Sequence, residues 1–205
     1  LNSVQQKSIG VQAAGVVNWA GAEILGVQAA GVFNRAPKIW GIQMSSVLNL
    51  ADSLVGVQAG IVNVARNAKG LQLGVVNVAD TCSGVQVGLI SFVKKGYRAF
   101  EFYADEVFQV NVAFRSGVRK LHNIYVLGVD LNSLGETPLY TFGLGFGFNW
   151  GQSSKWNYGL DLVSQQIMYG NHLAQTNSLQ RLSFNVERHV TSKISVFAGL
   201  TYNLY

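Results

Sequence analysis

Charged residues are scarce in this 205-residue sequence, where Asp, Glu, Lys and Arg together make up 12% of the chain. That share is about half of what an ordinary soluble domain carries. Proline is almost absent, with two residues against 23 glycines, so the chain is not a Pro-rich disordered segment. No run approaches 18 consecutive apolar residues, which argues against transmembrane helices. An apolar share of 49% without such a run leaves soluble all-β proteins and membrane β-barrels.

The sequence also lacks the usual signs of catalysis and of metal or nucleic-acid binding. Cys82 is the single cysteine, which excludes a disulfide framework and a cysteine-based metal site. The three histidines are far apart, without HxxxH or HExxH spacing, and there is no GxSxG motif. The net charge is +5, but the basic residues are scattered and form no nucleic-acid-binding motif. We therefore predict that the protein is not an enzyme, has no cofactor or metal, and binds no nucleic acid.

What the sequence does contain is a repeat. Each copy reads Gly-apolar-Gln, continues with small and apolar residues, and reaches Asn, or Ser91 in the sixth copy. The copies begin at Gly10, Gly26, Gly41, Gly56, Gly70 and Gly84, so they are 14–16 residues apart. Leu1-Asn2 is similar to the end of another copy, and we expect an earlier half-repeat to precede it.

Polar and apolar residues alternate within the repeats, which predicts strands with a polar inner face and an apolar outer face. Charged residues fall between the Asn end of one copy and the next Gly, as short turns at the edges of a hydrocarbon band require. The glutamines are expected to face a lumen: Gln12, Gln28, Gln43, Gln58, Gln72 and Gln86.

After about residue 97 the repeat is lost, but the alternation becomes stronger. In YTFGLGFGFNW the large apolar residues, Phe142 among them, face one way, and small or polar residues such as Gly145 face the other. Large outward and small inward residues suit a lipid-facing barrel, and aromatic residues near the strand ends suit the girdles of such barrels. Five charged residues share the inward side and are further lumen candidates: Glu101, Arg115, Asp130, Asp161 and Glu187.

These segments resemble a known family. The GVQxxGVxN copies, GVQVGLISFVKKGYR, VNVAFRSGVRK and the closing FAGLTYNLY are similar to the surface-repeat-containing outer-membrane proteins of Bacteroidota and spirochaetes. The resemblance covers essentially the whole chain and implies an outer-membrane or cell-surface location. It implies no established activity and no functional residues.

The alternation and the turn charges predict an all-β fold, an antiparallel transmembrane β-barrel of about 14 strands. Residues 1–205 would form one domain, with a repeat half at 1–93 and a non-repeat half at 94–205. Copies four to six are one residue shorter between Gln and Asn, which requires a bulge in a barrel. A solenoid tolerates that change, so the alternative is a parallel β-solenoid of 14–16-residue coils over residues 1–93, joined to a smaller C-terminal barrel.

For function we predict a bacterial outer-membrane protein that acts as a non-enzymatic accessory or structural subunit of a larger outer-membrane complex. A small-solute pore is the alternative. Its partners would be lipid and other outer-membrane proteins, because small residues on the outward face of the first three copies let another backbone come close. The docking candidates are Ala13, Gly15, Ala29, Gly31 and Ser46.

Overall fold

The computed structural model describes the backbone of residues 1–133, 138–150, 155–169 and 172–205, with side chains for all of these except 172–176. Within these ranges strands dominate, and the single helical element is a 3-10 helix, η1 (Leu131–Ser133). No helix in the described ranges is long and apolar enough to cross a membrane. The prediction of an all-β chain is confirmed.

The described residues form two compact units, Leu1–Tyr97 and Arg98–Tyr205. Each unit has its own sheet. The repeat half, 1–93, lies wholly within the first unit, so the change in sequence pattern and the change in architecture occur close together.

The first unit contains ten strands in one sheet. They are β1 (Asn2–Val4), β2 (Ser8–Ala14), β3 (Val17–Ala20), β4 (Ile24–Ala30), β5 (Phe33–Ser45), β6 (Leu48–Ala59), β7 (Val62–Leu73), β8 (Val76–Cys82), β9 (Val85–Val87) and β10 (Ile90–Val93). Neighbouring strands are parallel, and equivalent positions of successive repeats lie side by side. Gln12 lies beside Gln28, and Asn18 lies beside Asn34. The chain returns to the same position after each repeat of 14–16 residues and winds as a β-solenoid.

The prediction of antiparallel strands is therefore wrong for residues 1–93, and the solenoid alternative describes them. Side chains alternate in the same way in parallel and antiparallel strands, so the alternation did not distinguish the two arrangements. A barrel that closes over the whole chain is not present in the described residues, because the two sheets share no strand.

The glycines that open the first five repeats all have positive φ. Gly56 has φ +134°, a conformation that L side chains rarely adopt. A Cβ atom on Gly56 would lie 2.0 Å from the carbonyl oxygen of Gly41, its neighbour one coil earlier. The repeat keeps Gly here because both the backbone conformation and the contact between coils exclude a side chain.

The shorter copies lose their residue in a turn and keep their register in the strands. Asn63 lies beside Asn49 and is 0% exposed, although one residue fewer separates it from the preceding Gln. The shorter turn brings Gly60 so close to the coil before it that a Cβ atom there would lie 2.6 Å from the carbonyl oxygen of Ser45. No bulge is needed to keep the asparagines inside.

Apolar side chains also stack along the solenoid axis. One column joins Ala36, Ala51, Ala65 and Ala79, and another joins Ile24, Ile39, Leu54 and Ala68. All of these residues are buried. Each coil contributes one side chain to each column, and these side chains fill the narrow interior of the coil.

The second unit is a seven-stranded sheet in which strands that are consecutive along the chain are neighbours. The strands are β11 (Tyr97–Tyr103), β12 (Val110–Val118), β13 (Leu121–Asp130), β14 (Leu139–Trp150), β15 (Trp156–Tyr169), β16 (His172–His189) and β17 (Ser195–Leu204). From β12 to β17 each neighbouring pair is antiparallel.

This antiparallel sheet curls into an open half-barrel. The connection after β11 reaches the far side of the sheet, where Arg181 Nη1 on β16 donates to Asp105 Oδ2 at 2.5 Å. Thr201 Oγ1 on β17 likewise donates to Glu106 Oε1 at 2.8 Å. Most concave-face side chains of β12–β16 are buried, whereas the large apolar side chains on the convex face of β14–β17 are exposed.

Candidate functional site

A ladder of glutamine side chains runs through the core of the solenoid. It consists of the six glutamines that were expected to face a lumen, Gln12, Gln28, Gln43, Gln58, Gln72 and Gln86, all of them at most 3% exposed. From the second onward, each Nε2 donates to the Oε1 of the glutamine one coil earlier, at 2.7–2.8 Å. The prediction of a lumen is wrong here: these side chains do point inward, but the opposite sides of each coil meet and leave no channel.

The asparagines form a second ladder with the opposite direction. Asn49 Nδ2 donates to Asn63 Oδ1 one coil later at 3.0 Å, whereas the glutamines donate to the coil before. Asn49 Nδ2 also donates across the coil to the carbonyl oxygen of Ala59 at 2.8 Å, and Gln43 Nε2 donates to that of Leu50 at 3.1 Å. The two ladders therefore satisfy buried amides and also join the two sides of every coil.

A shallow surface groove of about 600 Å³ lies on the outside of the first three coils. Its lining consists of Ala13, Ala14, Gly15, Ala29, Ala30, Met44, Ser45 and Ser46. Four of the five docking candidates are in this lining. The fifth, Gly31, lies so close to the coil before it that a Cβ atom there would be 2.1 Å from the carbonyl oxygen of Gly15. Gly31 is therefore small because the neighbouring coil leaves no room for a side chain.

The concave face of the second unit carries a buried cluster of charges around Arg115. Its Nη1 and Nη2 atoms bind both oxygens of Asp161 at 2.9 and 2.7 Å, and its Nε atom donates to Glu101 Oε1 at 2.6 Å. Arg115 Nη1 also lies 2.9 Å from His122 Nε2, and Asn185 Nδ2 donates to Asp161 Oδ2 at 2.6 Å. The structure brings together three of the five predicted inward charges, Glu101, Arg115 and Asp161.

The other two predicted charges lie elsewhere. Glu187 accepts a hydrogen bond from Asn157 Nδ2 at 3.0 Å and lies 3.7 Å from His189 Nδ1. Asp130 is at the end of β13, where its carboxylate accepts from the backbone N–H of Asn132 at 3.1 Å. Neither belongs to the cluster around Arg115.

A cavity of about 180 Å³ adjoins this cluster on the concave face. Arg181 lines it and is 3% exposed, with Nε donating to Asn203 Oδ1 at 3.1 Å. Glu106 lies in the connection before β12. Its carboxylate accepts hydrogen bonds from the Glu106 backbone N–H and from the hydroxyl of Thr201, and these hold the pKa of Glu106 below its usual value. Sequence reasoning missed Arg181, although it lies on the inward side of β16 next to outward Leu182, so the alternation could have identified it.

The arrangement around Arg115 is that of a closed structural network. A guanidinium held by two carboxylates at these distances is neutralised, as buried charges need to be. Among the described residues no group of three or more His, Cys, Asp and Glu side chains is placed to hold a metal ion. Burial raises the pKa of the Cys82 thiol in the solenoid, which makes this cysteine a poor nucleophile at neutral pH.

The described geometry thus contains a solenoid held by amide ladders, a groove of small residues, and a curled sheet with charges inside and apolar residues outside. No family model, no curated protein and no solved structure matches the chain.

Proposed function

We propose that this protein is a non-enzymatic outer-membrane protein whose antiparallel unit lies in the bilayer and which serves a larger assembly. The observation that carries the proposal is the convex face of β14–β17, where large apolar side chains form two rows in register. These rows are Phe148, Leu160, Phe184 and Leu200, and Phe146, Leu162, Leu182 and Tyr202. Their exposed fractions range from 37% to 79%.

An exposed apolar surface of this extent needs a cover. Soluble monomers rarely expose contiguous apolar patches larger than several hundred Å². Single exposed apolar residues are normal, but here the exposed apolar side chains form continuous rows across four strands. The strands are also long enough, since about 9–11 tilted residues span the hydrocarbon core and β14 has 12. Lipid is the cover that suits both features.

Aromatic residues lie beyond these rows, toward one end of strands β14 and β15. Trp150 lies beside Tyr158 in the register, and Trp156 is two residues before Tyr158 on the same face. The guanidinium carbon of Arg188 lies 5.5 Å from the centroid of the Trp156 ring. Amphipathic rings and a nearby cation are typical of the headgroup level of a membrane.

The concave face fits the same location. Charges within a membrane are tolerated where they face a protein interior and pair with one another. Arg115 does so with Asp161 and Glu101, and it is 7% exposed. The charge of Arg115 is therefore paired within the unit, while large apolar side chains of β14–β17 face outward.

Two features support a role within a larger assembly. In the described sheet β17 has one strand neighbour, β16, and an open sheet edge is not stable against lipid tails. A strand from another outer-membrane protein at β17 would satisfy that edge. The groove of small residues on the solenoid offers a second surface where a partner backbone could approach closely.

The pore hypothesis is less well supported. The concave face holds a cavity of about 180 Å³ beside a cluster of paired charges. A channel needs a wider lumen, such as barrels of 16 or more strands enclose.

Tryptophan fluorescence tests the membrane location. One variant keeps Trp150 and Trp156 (Trp19→Phe, Trp40→Phe), and its matched control keeps the two solenoid tryptophans (Trp150→Phe, Trp156→Phe). After reconstitution into vesicles of acyl-chain-brominated lipid, quenching is expected in the first variant and much less in the control. Equal quenching in both, or none in either, would contradict the proposal.

Co-purification in mild detergent tests the assembly role. Gly15→Leu places a side chain in the groove, and its Cβ atom has nothing within 4 Å in the folded chain. We expect this variant to fold and to lose co-purifying outer-membrane proteins, while Lys69→Leu, an exposed site outside the groove, keeps them. Retention of the same partners by Gly15→Leu would exclude the groove as the docking surface.

A further inference from the structure

A row of exposed apolar side chains runs along one edge of the solenoid. Each repeat contributes one residue, two positions before its Asn or, in the sixth copy, before Ser91. In a straight strand these residues would point inward like the asparagines, but the chain bends here between the glutamine strand and the asparagine strand, and they point outward. The row, called the ridge below, consists of Val16, Val32, Val47, Ile61, Val75 and Leu89, which are 42–56% exposed.

The ridge is continuous from coil to coil. The backbone N–H of Val32 donates to the carbonyl oxygen of Val16 at 3.0 Å, and that of Val47 donates to the carbonyl oxygen of Val32 at 3.3 Å. Further along, the backbone N–H of Val75 donates to the carbonyl oxygen of Ile61 at 2.9 Å. Because neighbouring strands lie about 4.8 Å apart, six coils give a ridge roughly 24 Å long.

The two faces that meet at the ridge are apolar as well. On the glutamine side, the outward positions in register are Val11, Val27, Ile42, Val57, Leu71 and Val85. On the asparagine side they are Val17, Phe33, Leu48, Val62, Val76 and Ile90. The structure describes every residue of the ridge and of these two rows, and none of them is charged. A contiguous apolar surface of this kind marks an interaction site.

Charged side chains collect at the opposite edge of the solenoid. The ridge lies where the glutamine strand of a coil leads into its asparagine strand, whereas most charges lie where an asparagine strand leads to the next Gly, at the other end of the coil. There Glu23 lies 3.6 Å from Lys7 and 3.4 Å from Lys38. Residues 1–97 carry seven basic and three acidic side chains. The solenoid is therefore amphipathic across its width and has a net positive charge.

We propose that the ridge inserts into the outer part of a lipid bilayer that contains anionic lipid. Acyl chains fill the space around a convex apolar ridge without a matching groove, whereas a protein partner needs a complementary shape and hydrogen bonds. Buried apolar area and attraction between basic residues and anionic lipid both strengthen binding at a membrane surface. The inference does not rest on the proposed location of the antiparallel unit.

Arg35 limits how deeply the ridge enters. It points outward three residues after Val32, about 10 Å along the strand, and its Nη2 atom lies 3.3 Å from Asp52 Oδ2. Charges are costly among acyl chains, so insertion stops at about 5–10 Å, the depth of other amphipathic surfaces. Trp19 lies beside Arg35 in the register, and Trp40 lies nearer the charged edge, where a lysine ammonium is 4.8 Å from its ring centroid. Both tryptophans therefore stay outside the acyl chains.

Spin labels on the full chain test the proposal. The background is Cys82→Ala, since Ala68 fills the equivalent position one coil earlier. Ile61→Cys carries a nitroxide on the ridge, outside the groove of small residues, and Lys69→Cys carries one at an exposed position near the charged edge. The chain is reconstituted into vesicles of phosphatidylethanolamine and phosphatidylglycerol, and collisions of each nitroxide with oxygen and with a water-soluble nickel chelate are measured.

Oxygen concentrates among acyl chains and the nickel chelate stays in water. We expect the Ile61→Cys label to collide mainly with oxygen and the Lys69→Cys label mainly with the nickel chelate. Nickel collisions that are as frequent at the ridge as at Lys69→Cys would overturn the proposal. Infrequent collisions with both reagents at the ridge would show that protein covers it and would overturn the proposal as well.

Two matched double variants show whether the ridge itself holds the label in lipid. Val47→Glu with Val75→Glu adds charges on both sides of Ile61, at positions 44% and 43% exposed, so the chain is expected to fold. Nickel collisions of the Ile61→Cys label should then rise to the level at Lys69→Cys. Ser53→Glu with Thr81→Glu, in the same two repeats near the charged edge, should leave them unchanged. A folded ridge variant with unchanged collisions would overturn the proposal.

A third label separates this inference from the proposed location of the antiparallel unit. Leu162→Cys lies on the convex face of that unit, where Leu162 is 56% exposed. Oxygen-dominated collisions at Leu162→Cys without them at Ile61→Cys would overturn the ridge proposal alone. The reverse result would support the ridge and contradict the bilayer location of the second unit.

Discussion

Replacement of Gln58 by Leu tests whether the glutamine ladder stabilises the solenoid. Gln58 is 0% exposed, donates to Gln43 Oε1 at 2.7 Å and to the carbonyl oxygen of Val64 at 3.2 Å, and accepts from Gln72 Nε2 at 2.7 Å. The variant leaves three buried groups without these partners, at about 1–3 kcal/mol each. Burial of the Leu side chain offsets roughly 1.5–3 kcal/mol of that cost. We expect a net loss of about 2–6 kcal/mol in the free energy of unfolding.

Gln12→Leu is the matched control at the end of the ladder. It removes one side-chain hydrogen bond, from Gln28 Nε2, and that amide still donates to the carbonyl oxygen of Arg35 at 3.2 Å. The expected loss is therefore at most about 1 kcal/mol.

Urea unfolding of the full chain provides the assay. In the variant background with Trp150→Phe and Trp156→Phe, the fluorescence of Trp19 and Trp40 reports on the solenoid. If Gln58→Leu is neutral, or if both Gln→Leu variants lose the same free energy, the ladder does not stabilise this unit in the way argued.

Three further predictions follow from the packing. Gly56→Ala should destabilise the solenoid more than Gly10→Ala in the same urea assay: both residues have positive φ, but only at Gly56 would the Cβ atom meet a backbone oxygen, at 2.0 Å. Equal losses would mean that coil contact is unimportant. Arg115→Met should cost about 3–5 kcal/mol in the unfolding of the second unit, because it leaves buried carboxylates unpaired, and adding Asp161→Leu should recover part of that loss; no recovery would contradict the pairing. Burial raises the pKa of the Cys82 thiol, so the stability from this shift is present below the unfolded-state pKa and is lost as the pH rises through the folded value. Alkylation at pH 7 should accordingly be slow in the native chain and fast in urea, and equal rates would contradict the burial argument.

The structure also changes which substitutions can test the docking surface. From the alternation, Leu at Gly31 would be an outward change that leaves the fold intact. Gly31 does face outward, but its Cβ atom would lie 2.1 Å from the carbonyl oxygen of Gly15. Leu at the inward Gly145 would be the matching control on the opposite face, but its Cβ atom would lie 2.3 Å from the carbonyl oxygen of Leu162. A single strand pattern contains no information on how closely the next strand approaches.

Several features could be predicted from the sequence because they depend on local spacing. The repeat length read from the sequence equals the length of one coil. The glutamine of each Gly-apolar-Gln phrase was expected to point inward, and Gln12 and its equivalents do so. In the second unit the alternation places Arg115 and Asp161 on the inward side. Local backbone geometry fixes this choice of side, because successive side chains of a strand point to opposite faces.

Tertiary structure alone decided the direction of the neighbouring strands and the partners of the inward groups. Gln58 is inward in either a barrel or a solenoid, but it meets Gln43 and Gln72 only because parallel coils stack the same position of each repeat. Likewise Arg115 and Asp161 are 46 residues apart in the chain and are brought together by the curl of the sheet. Strand direction and register depend on where the chain goes after each bend, and that outcome is set by contacts between coils and across the sheet that lie far apart in the sequence.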